Sequence, residues 1–119
     1  MHRVVCGLIG PTCTSQARTK WNALFLKHGR NAFFDFYRTK TVSELELRLS
    51  EMFLHERRGY VVAAELQEII VPLLDRLDAS VTKEQRVDTV TNEGGVLVGS
   101  SSGDDDQRRM ELWFRSGSS

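Results

Sequence analysis

Three short runs rich in apolar or aromatic residues, 3–10 (RVVCGLIG), 31–38 (NAFFDFYR) and 60–64 (YVVAA), are each followed by apolar residues at helical spacing, and this alternation limits the fold more than any other feature of the chain. Parallel neighbours need a crossover long enough to hold a helix, so a strand-helix-strand order favours a mainly parallel sheet. The expectation is an α/β domain: a three-layer sandwich with a mainly parallel sheet, one antiparallel hairpin and helices on both faces.

The first run ends at Gly10 and Pro11, as a buried strand entering a loop does. Ala17, Trp21, Leu24, Phe25 and His28 then fall on one helical face, with Gly29 as the stop. Phe33, Phe34 and Phe36 of the second run read as core. Ser43 with Glu46 matches a capping box ahead of the face formed by Leu45, Leu49, Met52 and Phe53. Gly59 precedes the third strand. Leu66, Ile69, Ile70, Leu73, Leu74 and Leu77 form a long helical stripe that Pro72 should kink. A short polar helix is expected over 80–86. Two strands follow, 88–91 and 96–99, joined by a turn at 92–95. Residues 1–106 are read as the domain, and 100–106 as a polar, acidic joint. Residues 107–119 add a short helix over 109–114, carrying Met110, Trp113 and Phe114, and a disordered tail at 116–119.

At 119 residues with 40% hydrophobic content the chain can bury a real core as one domain. Sixteen Lys plus Arg balance sixteen Asp plus Glu, so no global charge draws the chain to nucleic acid or a membrane surface. The first ten residues do not read as a signal peptide, and no stretch approaches the roughly 18 apolar residues of a membrane span. Cys6 and Cys13 lack CxxC spacing and are not expected to pair, which suggests a reducing compartment, cytoplasmic or nuclear. Cys6 reads as a small buried hydrophobe. His2, His28 and His55 are scattered, so no metal site is expected. No strand leads into GxGxxG and a helix; Gly7-Leu8-Ile9-Gly10 does not meet that pattern and reads as close packing at a strand end, so no cofactor is expected.

The string Val87-Asp88-Thr89-Val90, followed by a polar turn and Val96-Leu97-Val98-Gly99, resembles the Val-Asn-Thr-Val, turn, Leu-Val-Gly segment of shikimate dehydrogenases, with Asp88 where the family keeps asparagine. The resemblance runs over residues 3–106, the part corresponding to the amino-terminal, shikimate-binding domain. The family's His-Ser-x-Ser-Pro, two residues, His-Asn matches with Asn22 as anchor and Trp21 in the histidine place. Ser15 then matches the first serine, Ala17 replaces the second and Arg18 the proline. The resemblance implies that Ser15 would hold a substrate carboxylate; read from the residues alone, Ser15 caps a helix. Gly59 to Gln67 lies over the family's Gly-x-Asn-Val-Thr-x-Pro-Phe-Lys, with Val61 for asparagine, Ala63 for threonine, Glu65 for proline and Gln67 for the catalytic lysine. Pro72-Leu73-Leu74-Asp75 resembles the next segment, and Glu84-Gln85-Arg86 stands where the family keeps Ile-Gly-Ala. Gly99 to Asp104 meets Gly-Tyr-Asn-Thr-Asp-Gly, so Ser102 keeps a hydroxyl and Gly103 takes the place of the catalytic aspartate; a one-residue slip brings Asp104 there instead.

These replacements imply a pseudoenzyme, because an amide at Gln67 has no titration near neutral pH with which to exchange protons. Ser15, Asp88, Thr89 and Ser102 remain as candidate substrate contacts; read from the strand pattern alone, Thr89 is a strand residue. Fungal quinate repressors carry a dehydrogenase-like part that has lost catalytic residues, so one reading is a regulatory module of quinate and shikimate metabolism. It would act by contacting another protein, a transcriptional activator or neighbouring domains, or by sensing a metabolite. The alternative is a weak shikimate- or quinate-binding domain or a structural remnant. An enzyme completed by another chain is a third reading. The partner reading allows a homodimer and includes neither a membrane nor direct nucleic-acid binding.

Overall fold

The computed structural model describes residues 3–12 and 15–115. The strands β1 (Val4–Gly10), β2 (Ala32–Arg38), β3 (Arg57–Val62), β4 (Arg76–Leu77), β5 (Thr89–Glu93) and β6 (Val96–Ser100) form one sheet in the order β2-β1-β3-β5-β6-β4. β1 runs parallel to β2 and β3, and β4 parallel to β6, whereas β5 is antiparallel to both of its neighbours. The sheet is therefore mainly parallel, with β5 and β6 as the antiparallel hairpin. Its turn is two residues long because Gly94 (φ 62°) and Gly95 (φ 100°) both take the left-handed conformation that a tight hairpin requires. The Asn92 carboxamide oxygen accepts from Gly95 N at 2.8 Å and fixes that turn.

Side chains alternate across the sheet and so build two cores. Helix α2 (Val42–Leu54) covers one face, packing Leu45, Leu49 and Met52 with Ile9, Tyr60, Val62 and Val90. Helices α1 (Ser15–Lys27) and α3 (Asp106–Trp113) cover the other, where Trp21, Phe25, Met110 and Trp113 pack with Cys6 and Phe34. Cys6 is buried as expected, and burial pushes its thiol pKa upward. Phe34 is core, while Phe33 and Phe36 are half-buried. Trp113 is the keystone of the second core: its ring lies 5.0 Å from that of Trp21, and its Nε1 donates to Val90 O at 3.2 Å. A Cβ on Gly59 would come within 2.0 Å of that nitrogen, so Gly59 sits inside β3, leaving room for an indole, and does not precede the strand.

Other expectations are corrected. The capping box of α2 is made by Thr41 and Glu44, with Glu44 N donating to Thr41 Oγ1 at 3.1 Å, and not by Ser43 and Glu46. Both pairs have the required spacing; the helix starts at the earlier one, directly after β2 ends. The stripe from Leu66 to Leu77 is not a kinked helix but two 3-10 turns, Ala64–Leu66 and Val71–Leu73, followed by β4. Pro72 cannot donate to a helix, and the strand hairpin competes for the next residues: Asp75 N donates to Leu97 O at 3.0 Å and Asp78 N to Gly99 O at 2.9 Å. Leu66 and Ile70 still reach the core, but Ile69 is 45% exposed. Residues 80–86 form turns rather than a polar helix, with Ser80 N bonded to Asp78 Oδ1 at 2.9 Å. His2, Cys13 and the tail at 116–119 lie outside the described residues. Among the described residues no group of three or more His, Cys, Asp or Glu could hold a metal ion, and no helix is long and apolar enough to cross a membrane.

One buried group in the sheet is unsatisfied. Thr91 is 2% exposed and its hydroxyl has no hydrogen-bond partner. Thr91→Val keeps the β-branched shape and removes that polar atom, so it should stabilise the fold by about 1 kcal/mol. A urea midpoint that moves up checks this; one that moves down shows that the hydroxyl does have a partner in solution.

Candidate functional site

The C-terminal ends of β1, β3 and β6 and the first residue of β5 meet at one edge of the sheet. Ala63 N donates to Ile9 O at 3.0 Å, a Cβ on Gly10 would lie 2.5 Å from that of Ala63, and Thr89 is paired with both Val61 and Ser100. In open α/β sheets this edge is where ligands bind.

Three of the four residues singled out as substrate contacts come together here. Asp88 is buried, and its carboxylate accepts from the Thr89 hydroxyl at 2.8 Å and from the backbone amides of Ser102, Gly103 and Asp104 at 2.8, 3.1 and 3.3 Å. The loop makes this possible because Gly103 (φ 67°) and Asp104 (φ 60°) are both left-handed, which curls successive amides toward one point. Burial works to raise the Asp88 pKa, but the Ser102 amide, the hydroxyls of Thr89 and Ser102 and the Arg109 guanidinium outweigh it and hold the carboxyl below its usual value. The Ser102 hydroxyl lies 3.4 Å from that of Thr89.

Arg109 completes the cluster and was given no role by the sequence. It is 3% exposed; its Nε donates to Thr89 Oγ1 at 2.8 Å, its Nη1 to Asp106 at 2.8 Å, and its Nη2 to Asp88 O at 3.3 Å and Asp104 Oδ1 at 3.2 Å. The signal was its position: Arg109 and Trp113 are four residues apart on α3 and share the buried face.

Gln67 is also engaged. Its Nε2 donates to Val62 O at 3.0 Å, its Oε1 accepts from Arg86 at 3.2 Å, and its backbone oxygen accepts from Val87 N at 2.9 Å. The side chain thus ties the end of β3 to the approach to β5. Ser15 is exposed in the first turn of α1 and makes no hydrogen bond to this cluster, and Ala17, Val61 and Ala63 are partly buried. Asn22, the anchor of the sequence register, bonds to the backbone of Phe34. A separate groove of about 320 Å³ is lined by His28 and Arg30, just after α1, and along α3 by Gln107, Met110, Glu111, Phe114 and Arg115.

No protein-family profile and no curated protein sequence matches the chain. Solved structures do. Shikimate 5-dehydrogenase from Listeria monocytogenes, in complex with shikimate and NAD, superposes with a TM-score of 0.75 at 28% identity over 83% of this chain and 34% of its own. Shikimate dehydrogenase from Aquifex aeolicus gives 0.75 at 27% identity over 82% and 37%. The fold is shikimate-dehydrogenase-like. Quinate dehydrogenase from Corynebacterium glutamicum, in complex with NAD, shares the fold, with a TM-score of 0.71 at 22% identity over 82% of this chain and 36% of its own. The chain spans about a third of the length of these structures. Within the shikimate-dehydrogenase-like fold, the loop at 102–104 and the start of β5 are locked to each other through Asp88.

Proposed function

We propose that this chain is a catalytically silent module of shikimate-dehydrogenase-like fold that serves in a regulator of quinate and shikimate metabolism, acting by contact with another protein. The observation that carries this reading is the self-satisfaction of the sheet edge. The four donors to Asp88, the Arg109 contacts and both ends of the Gln67 amide are made within the protein. A polyhydroxy acid recognised there would have to break these bonds, and a buried ligand hydroxyl facing Val61 or Ala63 would go unpaired at a cost of about 1–3 kcal/mol.

The chemistry argues the same way. Proton exchange with a ring hydroxyl needs a titratable group, and Gln67 offers an amide. Gly103 supplies a left-handed backbone and no carboxylate, while Asp104 carries a side chain 86% exposed and bonded to Arg109. Asp88 is the one buried carboxylate of the cluster, and its oxygens are occupied. Its role is to hold the loop.

No shikimate-dependent reduction of NAD or NADP is therefore expected, even with the cofactor-binding domain of a shikimate dehydrogenase supplied in trans. Turnover that disappears on Gln67→Ala would overturn the assignment. The regulatory part is tested in a cell carrying a quinate-inducible reporter: production of the folded chain lowers induction if it contacts the activator, and unchanged induction at high soluble levels contradicts it.

A further inference from the structure

β2 forms one edge of the sheet, and five backbone groups on its outer side are engaged by the protein's own atoms. Val4 N donates to Asn31 O and Thr39 N donates to Gly10 O, so by the alternation of a strand the odd-numbered residues of β2 turn their backbone groups to β1 and the even-numbered ones turn outward. At Phe34 both outward groups are taken by one side chain. Asn22, on α1, accepts from Phe34 N at 2.8 Å and donates to Phe34 O at 3.0 Å. Asp35 Oδ1 accepts from Phe36 N at 2.8 Å, Arg48 donates to Arg38 O at 3.2 Å, and Ala32 N is used by Arg30 O at 3.0 Å.

A carboxamide carries one donor and one acceptor in the geometry of a peptide, so Asn22 makes the pair of bonds that a neighbouring strand would make. We propose that Asn22 is a strand mimic that closes the β2 edge against a second copy of this chain. The edge it protects needs such a device. β2 is seven residues of sequence AFFDFYR, rich in aromatic residues and free of proline and glycine, and an open edge of that kind is a template for pairing. It is also self-complementary: an antiparallel two-fold pairing with Phe34 opposite its counterpart restores both bonds now made by Asn22 and sets Asp35 beside Phe33 instead of beside another carboxylate. Any assembly of the wild-type chain must accordingly use a different surface.

Light scattering over a concentration series, combined with hydrogen exchange at the Phe34 amide, tests this on the whole chain. Wild type should keep that amide protected at all concentrations. Asn22→Ala should self-associate at concentrations at least about tenfold lower than wild type, with the Phe34 amide exchanging freely when dilute and protected again when concentrated. Adding Phe36→Pro removes an outward donor without touching the β1 pairing, so the double variant should return to monomer. Asn22→Leu, which keeps the volume, is expected to behave as Asn22→Ala and replaces it if the alanine variant does not fold. Variants that stay monomeric with the Phe34 amide protected as in wild type would overturn the proposal. So would association that persists with Phe36→Pro, because that would arise from loosened packing and not from the strand edge.

Discussion

Trp113→Ala is expected to lower stability by about 3–5 kcal/mol, a large fraction of what holds a domain of this size folded. The indole is fully buried, lies 5.0 Å from Trp21, and rests over Gly59 where no side chain could be accommodated. Its removal opens a cavity at the centre of the second core and takes one donor from Val90 O, which accepts from Nε1 and is also paired with Tyr60 in the sheet. The bond that Trp113 O accepts from Arg58 at 2.7 Å is a backbone contact and survives the substitution, so the loss measures the indole itself. The same contact seen from the sheet gives a companion result. Gly59→Ala places a methyl where the ring now sits, and should cost about 1–3 kcal/mol by overpacking. Urea titrations followed by circular dichroism measure both. A loss under about 1 kcal/mol for Trp113→Ala would mean that α3 is not an integral part of the fold.

Arg109→Met is expected to cost about 3 kcal/mol, because it removes the charge partner of a buried carboxylate while keeping most of the side-chain volume. Thr89 loses the donor to its hydroxyl, and Asp104 and Asp106 lose a shared cation. In the Arg109→Met background, Asp88→Asn should be less damaging than it is in wild type, since the uncompensated charge is then the problem. The double-mutant cycle reads that coupling. The cluster also sets an acid limb. Asp88 has a depressed pKa in the folded state, so its contribution is fully present above its unfolded value of about 3.9 and is lost as pH falls through the lower folded value. Asp88→Asn should flatten the fall in stability below about pH 4. An unchanged acid limb would show that Asp88 is not held as a carboxylate.

The general architecture was legible because it rests on periodicity that burial enforces. Cys6 and Ile9, or Tyr60 and Val61, alternate between two cores that a parallel sheet must have. The hairpin was legible but its register was not: the turn expected over 92–95 is Gly94 and Gly95 alone, which few other residues could replace at positive φ, and Asn92 and Glu93 extend β5. The stripe from Leu66 to Leu77 misled for a physical reason: apolar residues at three- and four-residue spacing also suit two short turns that dip toward a core, and the choice is made by Pro72 and by β6 competing for the backbone of Asp75 and Asp78. Thr41 and Ser43 offered equivalent caps, and only the exit from β2 separates them. At the site, Asp88, Thr89 and Ser102 were recognisable as a group, but their meaning was not. Whether a carboxylate faces a ligand or its own loop depends on the conformation of Gly103 and Asp104 and on Arg109, which lies 20 residues or more along the chain from Asp88 and Thr89.

The polar groups of Asp88, Gln67 and Arg109 at the sheet edge are bonded within the protein, and titration calorimetry with shikimate and quinate tests whether a small polyhydroxy acid can displace them. Val61, Ala63 and Ala17 each offer no polar partner, and three missing hydrogen bonds at about 0.5–1.5 kcal/mol each weaken binding by about one to three orders of magnitude. Neither acid should give heat beyond dilution at millimolar ligand, and the amides of Ser102, Gly103 and Asp104 should stay unmoved in a parallel NMR titration. Binding at micromolar ligand that Ser15→Ala abolishes would contradict this and make the chain a metabolite sensor.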